Sequence, residues 1–528
     1  MRSDVITVEP ECPKLTSRQW CTVVGGLIGG FMAILDIQIT NSSMKVIQGA
    51  LSASLDESSW LMTSYFTSEI IAIPLCGWLC QAFGTGRYAL WCIIGFLATS
   101  LLCSSAWSLN SMIIFRSLQG FCGGALIPIS FRLIIEFFPQ EKRPLGMSLF
   151  SVISTFAPAV GPALGGWLTE NLSWHAIFYI NAVPALLSLV LINCSLKYQE
   201  INWNVIRKGD FIGIISIMLC LGSLIVVLEK GSILNWFESD IICILTAIST
   251  VGLIVFIYNQ STYRYPLINI RLFKDFYFSF SLVIFFIFGL AIYGTLFLVS
   301  YYLTRIYDYN ASQIGGVVVL MGLPQLIVLP FIPFLVQRFN PKYLICIGFS
   351  GLAISAFMNS SMDGNFAGSQ MIWSMLIRAL GQPFIMVPLS LLATRHIQQR
   401  DSASSAVLIN IFRSLGGSCG TAMLTTFFIS RFNIHIYDIK TSLLSSDSVF
   451  IYYLSSVKNL MVLHGLQTNS QNVKHTAIAI LGQKMTQQAQ IMAFNDLFLI
   501  MGGIMLITVF WVLFSTYDFK LYLIKKES

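Results

Sequence analysis

The amino-acid sequence predicts an all-α polytopic membrane protein with fourteen transmembrane helices, and three observations lead there. Only 10% of the 528 residues are charged and 55% are hydrophobic, against about 25% charged in an ordinary soluble chain. Apolar runs of about 20 residues, long enough to cross a bilayer as helix, recur from end to end. The chain also repeats itself at long range, as transporters built from two bundles do. The net charge of +7 is not gathered on a basic face, which excludes a nucleic-acid partner. The apolar content excludes a disordered chain.

Taken in order, the runs between polar breaks fall at 20–41, 59–80, 88–107, 112–135, 146–168, 176–196, 210–229, 239–258, 276–302, 313–336, 343–361, 369–393, 403–430 and 493–515. Residues 1–19 are polar, with Arg2, Lys14 and Arg18. The first run is of full span length with no small-residue cleavage site, so a cleavable signal peptide is not expected. An even count puts both termini on one side. With the N-terminus inside, most of the 31 Lys and Arg residues are inside, and the short outside loops hold only Lys45, Lys230 and Arg305. This asymmetry predicts cytoplasmic termini. The long segment 431–492 reads as an outside loop, which translocates regardless of its charge.

Two echoes expose the duplication. The stretch from Gly77 through Gln81 to Gly84 and Arg87, between the second and third spans, matches Pro333 through Gln337 to Asn340 and Lys342 between the tenth and eleventh. Arg116 followed by Pro128 and Ser130 in the fourth span matches Arg378 followed by Pro388 and Ser390 in the twelfth. The expected layout is a cytoplasmic segment 1–19, a six-helix repeat 20–196, two inserted helices with flanking loops 197–275, a second six-helix repeat 276–515 that includes the loop 431–492, and a cytoplasmic tail 516–528.

A charge at the bilayer centre costs roughly 2.5–3.5 kcal/mol on insertion scales, so charged side chains within spans come first. Asp36 lies two-thirds along the first span. It is either a proton-carrying carboxylate whose exposure alternates, or a carboxylate paired permanently to an arginine or exposed at the outer mouth. Glu69, mid-span in the second helix, is either a second titrating group or the counter-charge of a cationic substrate, or else a protonated glutamate bonded to a neighbouring helix. Arg116, at a depth like that of Asp36, can hold that carboxylate ionised, or it is a snorkelling or helix-capping arginine. Arg378 is its repeat-mate, and Arg413 lies in the thirteenth span. Arg132 and Glu136, four apart, read as a pair at the inner end of the fourth helix.

The fifth span carries Ala157, Pro158, Gly161, Pro162, Gly165 and Gly166. Ala157, Gly161 and Gly165 recur every four residues, leaving a bare face for close helix approach, and the prolines permit bending. A gate between repeats and ordinary small-residue packing both fit. The string Gly416, Ser418, Gly420 matches a serine-hydrolase elbow by letter, but that elbow needs a strand-to-helix turn and this one lies in an apolar helix. The five histidines show no metal-ligand spacing, and the cysteines, from Cys12 to Cys419, form no disulfide framework. No phosphate-binding G-x-x-x-x-G-K-[ST] string exists, so the chain is not expected to carry its own ATPase; the expected energy source is an ion gradient, unless a separate subunit supplies it, and no cofactor is expected.

These residues resemble the major facilitator superfamily, and more closely the fourteen-span drug:proton antiporters of the EmrB/QacA type. The likeness spans about 20–515. Leu35, Asp36, Thr40 and Asn41 resemble the helix-one motif, with Gln38 where that motif has Thr. Arg116, Gln119 and Gly120 resemble the helix-four arginine motif. The helix-five set from Ala157 to Gly166 resembles the antiporter motif, and Trp174 to Asn181 is also family-like. The loop motif Gly77, Gln81, Gly84, Arg87 departs at Gln81, where the wider family usually has Asp. The resemblance implies proton-coupled export of amphipathic compounds across a bacterial inner membrane, with Asp36 and Arg116 as the coupling pair. Glu69, Gln38, Arg378 and Arg413 are then candidates for substrate contact or a second proton site. It also implies a periplasmic adaptor of the EmrA kind and an outer-membrane channel. The rival readings are the same machine dedicated to one endogenous product such as a siderophore or fatty acid, and a non-transporting receptor or scaffold.

Overall fold

The computed structural model describes residues 16–139, 142–195, 201–395, 397–398, 401–444, 451–452, 455–456, 459 and 470–515. Among them are fourteen helices long and apolar enough to cross a membrane. The N-terminal repeat comprises α1 (Ser17–Ser42), α2 (Asp56–Phe83), α3 (Thr85–Ser104), α4 (Leu109–Phe137), α5 (Arg143–Asn171) and α6 (Ala176–Cys194). The inserted hairpin is α7 (Phe211–Lys230) and α8 (Asp240–Thr262). The C-terminal repeat comprises α9 (Phe276–Tyr307), α10 (Ala311–Arg338), α11 (Pro341–Met358), α12 (Ile372–Ala393), α13 (Ser402–Ser442) and α14 (Ile478–Phe514). Most of the predicted N-terminal segment, the C-terminal tail and much of the predicted outer loop lie outside the described residues.

The helix starts follow local chemistry. Thr16 and Gln19 form a capping box at α1, satisfying orphan backbone donors reciprocally. Ser108 and Ser111 do so at α4, and Asn310 and Gln313 at α10. Between α2 and α3 the chain turns at Gly84, whose φ of 83° lies in the left-handed region that favours glycine. That turn is the physical reason for a glycine at this point of the loop motif.

Polar bonds tie the elements across the bundle. Ser130 Oγ on α4 donates to Gly26 O on α1 at 2.6 Å, and Ser188 Oγ on α6 to Gly25 O at 2.6 Å. Lys342 Nζ at the start of α11 donates to Ser515 O beyond the end of α14 at 2.7 Å. Exposed large apolar side chains cover the outside, with Ile241, Ile244, Val251 and Ile254 on α8. An apolar surface of that extent suits lipid.

The hairpin touches both repeats. Gly222 of α7 faces Thr67 and Ile71 of α2, and Trp236 after α7 donates to Thr426 of α13 at 3.1 Å. At the other end Asp210 accepts from Gly213 N at 2.8 Å, from Asn259 Nδ2 at 2.5 Å and from Gln260 Nε2, clamping the end of α8 to the start of α7. An N-cap alone is worth about 1 kcal/mol, and here two further donors would lose their acceptor. Asp210→Ala is therefore expected to lower the thermal midpoint of the purified protein by several degrees. A midpoint equal to wild type would show that the hairpin is held elsewhere.

Two expectations change. The segment 431–492 is not a simple loop, because the helix of α13 runs Ser402–Leu444 and that of α14 runs Ser470–Phe514. Arg431, His435 and Asp438 mark where the apolar surface ends, not where the helix ends, since a helix keeps its hydrogen bonds internal in either solvent. Asp496 on α14 fixes the crossing, accepting from Arg431 Nε at 2.6 Å and lying 2.7 Å from His435 Nε2. Second, α10 is not one regular helix. Pro324, Pro330 and Pro333 remove backbone donors, and short 3-10 turns at Val319–Met321 and Leu329–Phe331 divide it.

Candidate functional site: a buried carboxylate held by three helices

Asp36 and Arg116 are both fully buried, and they meet. Arg116 Nη1 on α4 donates to Asp36 Oδ2 on α1 at 2.7 Å. The same Nη1 lies 2.7 Å from Gln119 Oε1, one turn along α4. Asp36 Oδ1 accepts from Gln119 Nε2 at 3.1 Å and from Asn181 Nδ2 on α6 at 2.6 Å. Ser100 Oγ on α3 accepts from Asn181 Nδ2 at 2.9 Å and Gln119 Nε2 at 3.3 Å, and donates to Phe178 O at 3.0 Å. Both carboxylate oxygens are thus occupied by charged or amide donors. Asp36 is paired and enclosed; it is not exposed at a mouth.

Packing brings the arginine to its place. Gly120, Gly123 and Gly124 give α4 a bare face against Tyr65, Phe96 and Glu69, where an added Cβ would come within 2.7 Å of the Tyr65 hydroxyl. This close approach of α2 stacks the Tyr65 ring 4.3 Å from the Arg116 guanidinium carbon. Arg116 Nε and Nη2 have no hydrogen-bond partner among the described residues. Gln119, Asn181, Ser100 and Tyr65 complete a site that the charged residues alone did not reveal. Gln119 and Asn181 stood within the family-like strings without an assigned role.

The other candidates do not join this cluster. Glu69 is buried on α2 and forms no hydrogen bond to a neighbouring helix among the described residues; Arg413 and Arg116 are the opposite charges that act on it. Arg413 Nη2 reaches only Asn410 Oδ1 at 3.2 Å on its own helix. Arg378 contacts Met321 Sδ at 3.0 Å and Ile292 O at 2.8 Å. Gln38 is buried where α1 meets Gly161 of α5.

The helix-five set forms a seam. Gly161 and Gly165 lie against Gln38, Ile39 and Ser42 of α1, while Gly166 lies against Ala311 and Ser312 of α10. Gly315 and Gly322 of α10 return the contact on Pro162, Ala163 and Ala159. Ala157, Pro158 and Pro162 are buried within α5. Ser43 Oγ lies 2.6 Å from Thr169 Oγ1 and closes the end of the seam. The two repeats therefore touch along a face almost without side chains.

At the opposite end, Gly77 faces Ala403 and Val407 of α13, Gln81 is exposed, and Arg87 borders a cavity of about 640 Å³ shared with Arg18, Thr85 and Glu136. Arg132 Nε pairs with Glu136 at 3.6 Å. The Gly416 to Gly420 string lies inside α13 and packs on Phe286 and Leu290 of α9, which leaves no elbow.

Known proteins place this architecture. The family model described as Major Facilitator Superfamily matches residues 26–421. The chain is 31% identical to the colistin resistance protein EmrB of Acinetobacter baumannii over 507 residues, covering 96% of this chain and 98% of the relative. It is 28% identical to the multidrug export protein EmrB of Escherichia coli (strain K12), covering 92% and 93%. Among solved structures, the human organic anion transporter MFSD10 superposes with a TM-score of 0.56 at 12% identity over 92% of this chain and 99% of that one, a likeness of fold alone. With fourteen helices long and apolar enough to cross a membrane among its described residues, and matched in family along most of its length, the chain is a multi-pass membrane transporter and not an enzyme. It belongs to the major facilitator superfamily, as an efflux transporter of the EmrB type.

Proposed function

We propose that this transporter is a proton-coupled antiporter that exports amphipathic compounds across a bacterial inner membrane, with both termini in the cytoplasm and the proton gradient as its only energy source. The observation that carries the reading is the Asp36 carboxylate, buried and held by Arg116, Gln119 and Asn181. A buried ion pair is expensive in a membrane, and such pairs mark ion pathways. Protonating Asp36 removes the negative charge that Arg116 faces, so the guanidinium loosens and α1 and α4 can shift. Deprotonation on the other side restores the pair and resets the bundle. The glycine seam of α5 with α1 and α10 supplies a surface on which the repeats can rock.

We also infer work with a periplasmic adaptor and an outer-membrane channel. The helices through α13 and α14 have 43 and 45 residues. At 1.5 Å per residue each is about 65 Å long, twice a hydrocarbon core of roughly 30 Å. Their projecting ends offer a platform beyond the membrane on the side away from the termini.

The test is a panel of hydrophobic cations, uncouplers and amphipathic acids added to everted vesicles holding an imposed pH gradient. Collapse of the gradient by several chemically unrelated compounds is the expected result. Collapse by one compound alone would make the protein a dedicated exporter, and silence with purified adaptor present would remove the antiport reading.

A further inference from the structure

The second repeat has kept its arginine and lost its carboxylate. Arg378 follows Arg116 by 262 positions, and Pro333 follows Gly77 by 256. Adding 256 or 262 to the position of Asp36 gives Ile292 or Leu298, both apolar, and Arg378 Nη2 donates to the backbone oxygen of Ile292 at 2.8 Å. Where α1 offers Arg116 a carboxylate, α9 offers Arg378 only a peptide carbonyl.

Arg378 is 2% exposed. Its remaining contact is Met321 Sδ at 3.0 Å, a weak acceptor, and its Nε has no partner. No carboxylate lies within ion-pair distance of it among the described residues. A buried charge without a counter-ion is strongly destabilising, and lipid-facing packing would be served by an apolar side chain. The surroundings are also polar without being satisfied. Gln382, one turn along α12 from Arg378, and Gln325, one turn along α10 from Met321, are both buried with an unpartnered Oε1.

The position adjoins the seam between the repeats. Gly322, next to Met321, meets Ala159 and Phe156 of α5. We propose that Arg378 is the recognition site for the carboxylate head of an exported amphiphile, whose apolar tail lies along the α5–α10 seam. The arginine fork matches a carboxylate in two parallel hydrogen bonds, and the ligand supplies the charge that α9 lacks. This assignment rests on the efflux reading for its meaning, but binding itself needs no proton gradient.

The full chain in neutral-lipid nanodiscs at pH 7.5 is titrated calorimetrically with decanoate, decanol and decyltrimethylammonium. The wild type is expected to bind decanoate at least ~10-fold tighter than decanol, the scale of one charge-assisted pair. Arg378→Gln is expected to erase that gap, and Arg378→Lys, which keeps the charge but not the fork, to retain part of it. Equal binding of decanoate and decanol by the wild type would overturn the proposal without recourse to any variant. An undiminished decanoate preference in a folded Arg378→Gln protein would overturn it too. A chain that binds decanoate through Arg378 yet moves no protons in vesicles would remove the antiport reading and leave the site. One that moves protons with cations but shows no decanoate preference would remove the site alone.

Discussion

Asp36→Asn is expected to reduce substrate-driven collapse of a pH gradient to the level of protein-free vesicles, while the purified variant still folds. Asparagine has the same shape, so α1 keeps its packing, but an amide cannot load or release a proton. Its single carbonyl oxygen can still accept from Arg116 Nη1, which Asp36 engages at 2.7 Å. Its NH2 group then points at Gln119 and Asn181, both of which donate to Asp36 in the native chain. Those amides must turn, and Arg116 loses a charged acceptor. Losing a hydrogen bond to a charged group costs about 1.5–3 kcal/mol, so the thermal midpoint falls as well. Arg116→Gln is the mirror case, leaving a buried carboxylate without its cation, and coupling is expected to be lost with the pair. Full transport by a folded Asp36→Asn protein would show that the proton travels elsewhere, with Glu69 the next group to examine.

Gly166→Leu is expected to abolish export by a different route. A Cβ at this position would lie 2.5 Å from the Ala311 carbonyl carbon and 2.6 Å from Ser312 Cα. These are backbone atoms that cannot swing aside, and real Cβ contacts do not come so close. Helices α5 and α10 must part, which opens the seam between repeats while each six-helix bundle keeps its own core. The expected signature is loss of transport with a modest change in thermal midpoint, together with faster labelling of a cysteine at position 38 by a membrane-impermeant maleimide in a cysteine-free background. Gly77→Ala serves as the control. Its Cβ would sit 3.6 Å from Val407 and 3.7 Å from Ala403, ordinary contact, so activity should be unchanged. Normal export by Gly166→Leu would mean that the seam is packing and not a gate.

The parts of this molecule that the sequence predicts well are those written in apolar length and in the cost of charge. Fourteen spans follow from run length, and the duplication follows from Gly77 with Pro333 and Arg116 with Arg378. Asp36 and Arg116 stand out because a charge deep in a span demands a reason. Ser100, Gln119 and Asn181 did not stand out, because neutral polar residues are tolerated in apolar helices and their convergence depends on four helices meeting. Tyr65 was hidden for a related reason: an aromatic in a membrane helix usually faces lipid or a neighbour, and only the glycine face of α4 brings it over the arginine. The far ends of α13 and α14 read as loop in the sequence, since polarity reports the edge of the apolar slab and not the end of a helix. The hairpin clamp at Asp210 was equally invisible, because its partners Asn259 and Gln260 come from the far end of the next span.

The central claim is that proton and substrate compete through the Asp36 network. Proton release on substrate binding tests it most directly, measured with purified protein in weakly buffered solution using any panel compound that binds the wild type. Binding that favours the ionised Asp36–Arg116 pair expels by linkage the proton that Asp36 carries, so release that grows as the pH is lowered, up to one proton per bound substrate, is expected from the wild type and none from Asp36→Asn. Equal release by both proteins, or none from a wild type saturated with substrate, would contradict the account.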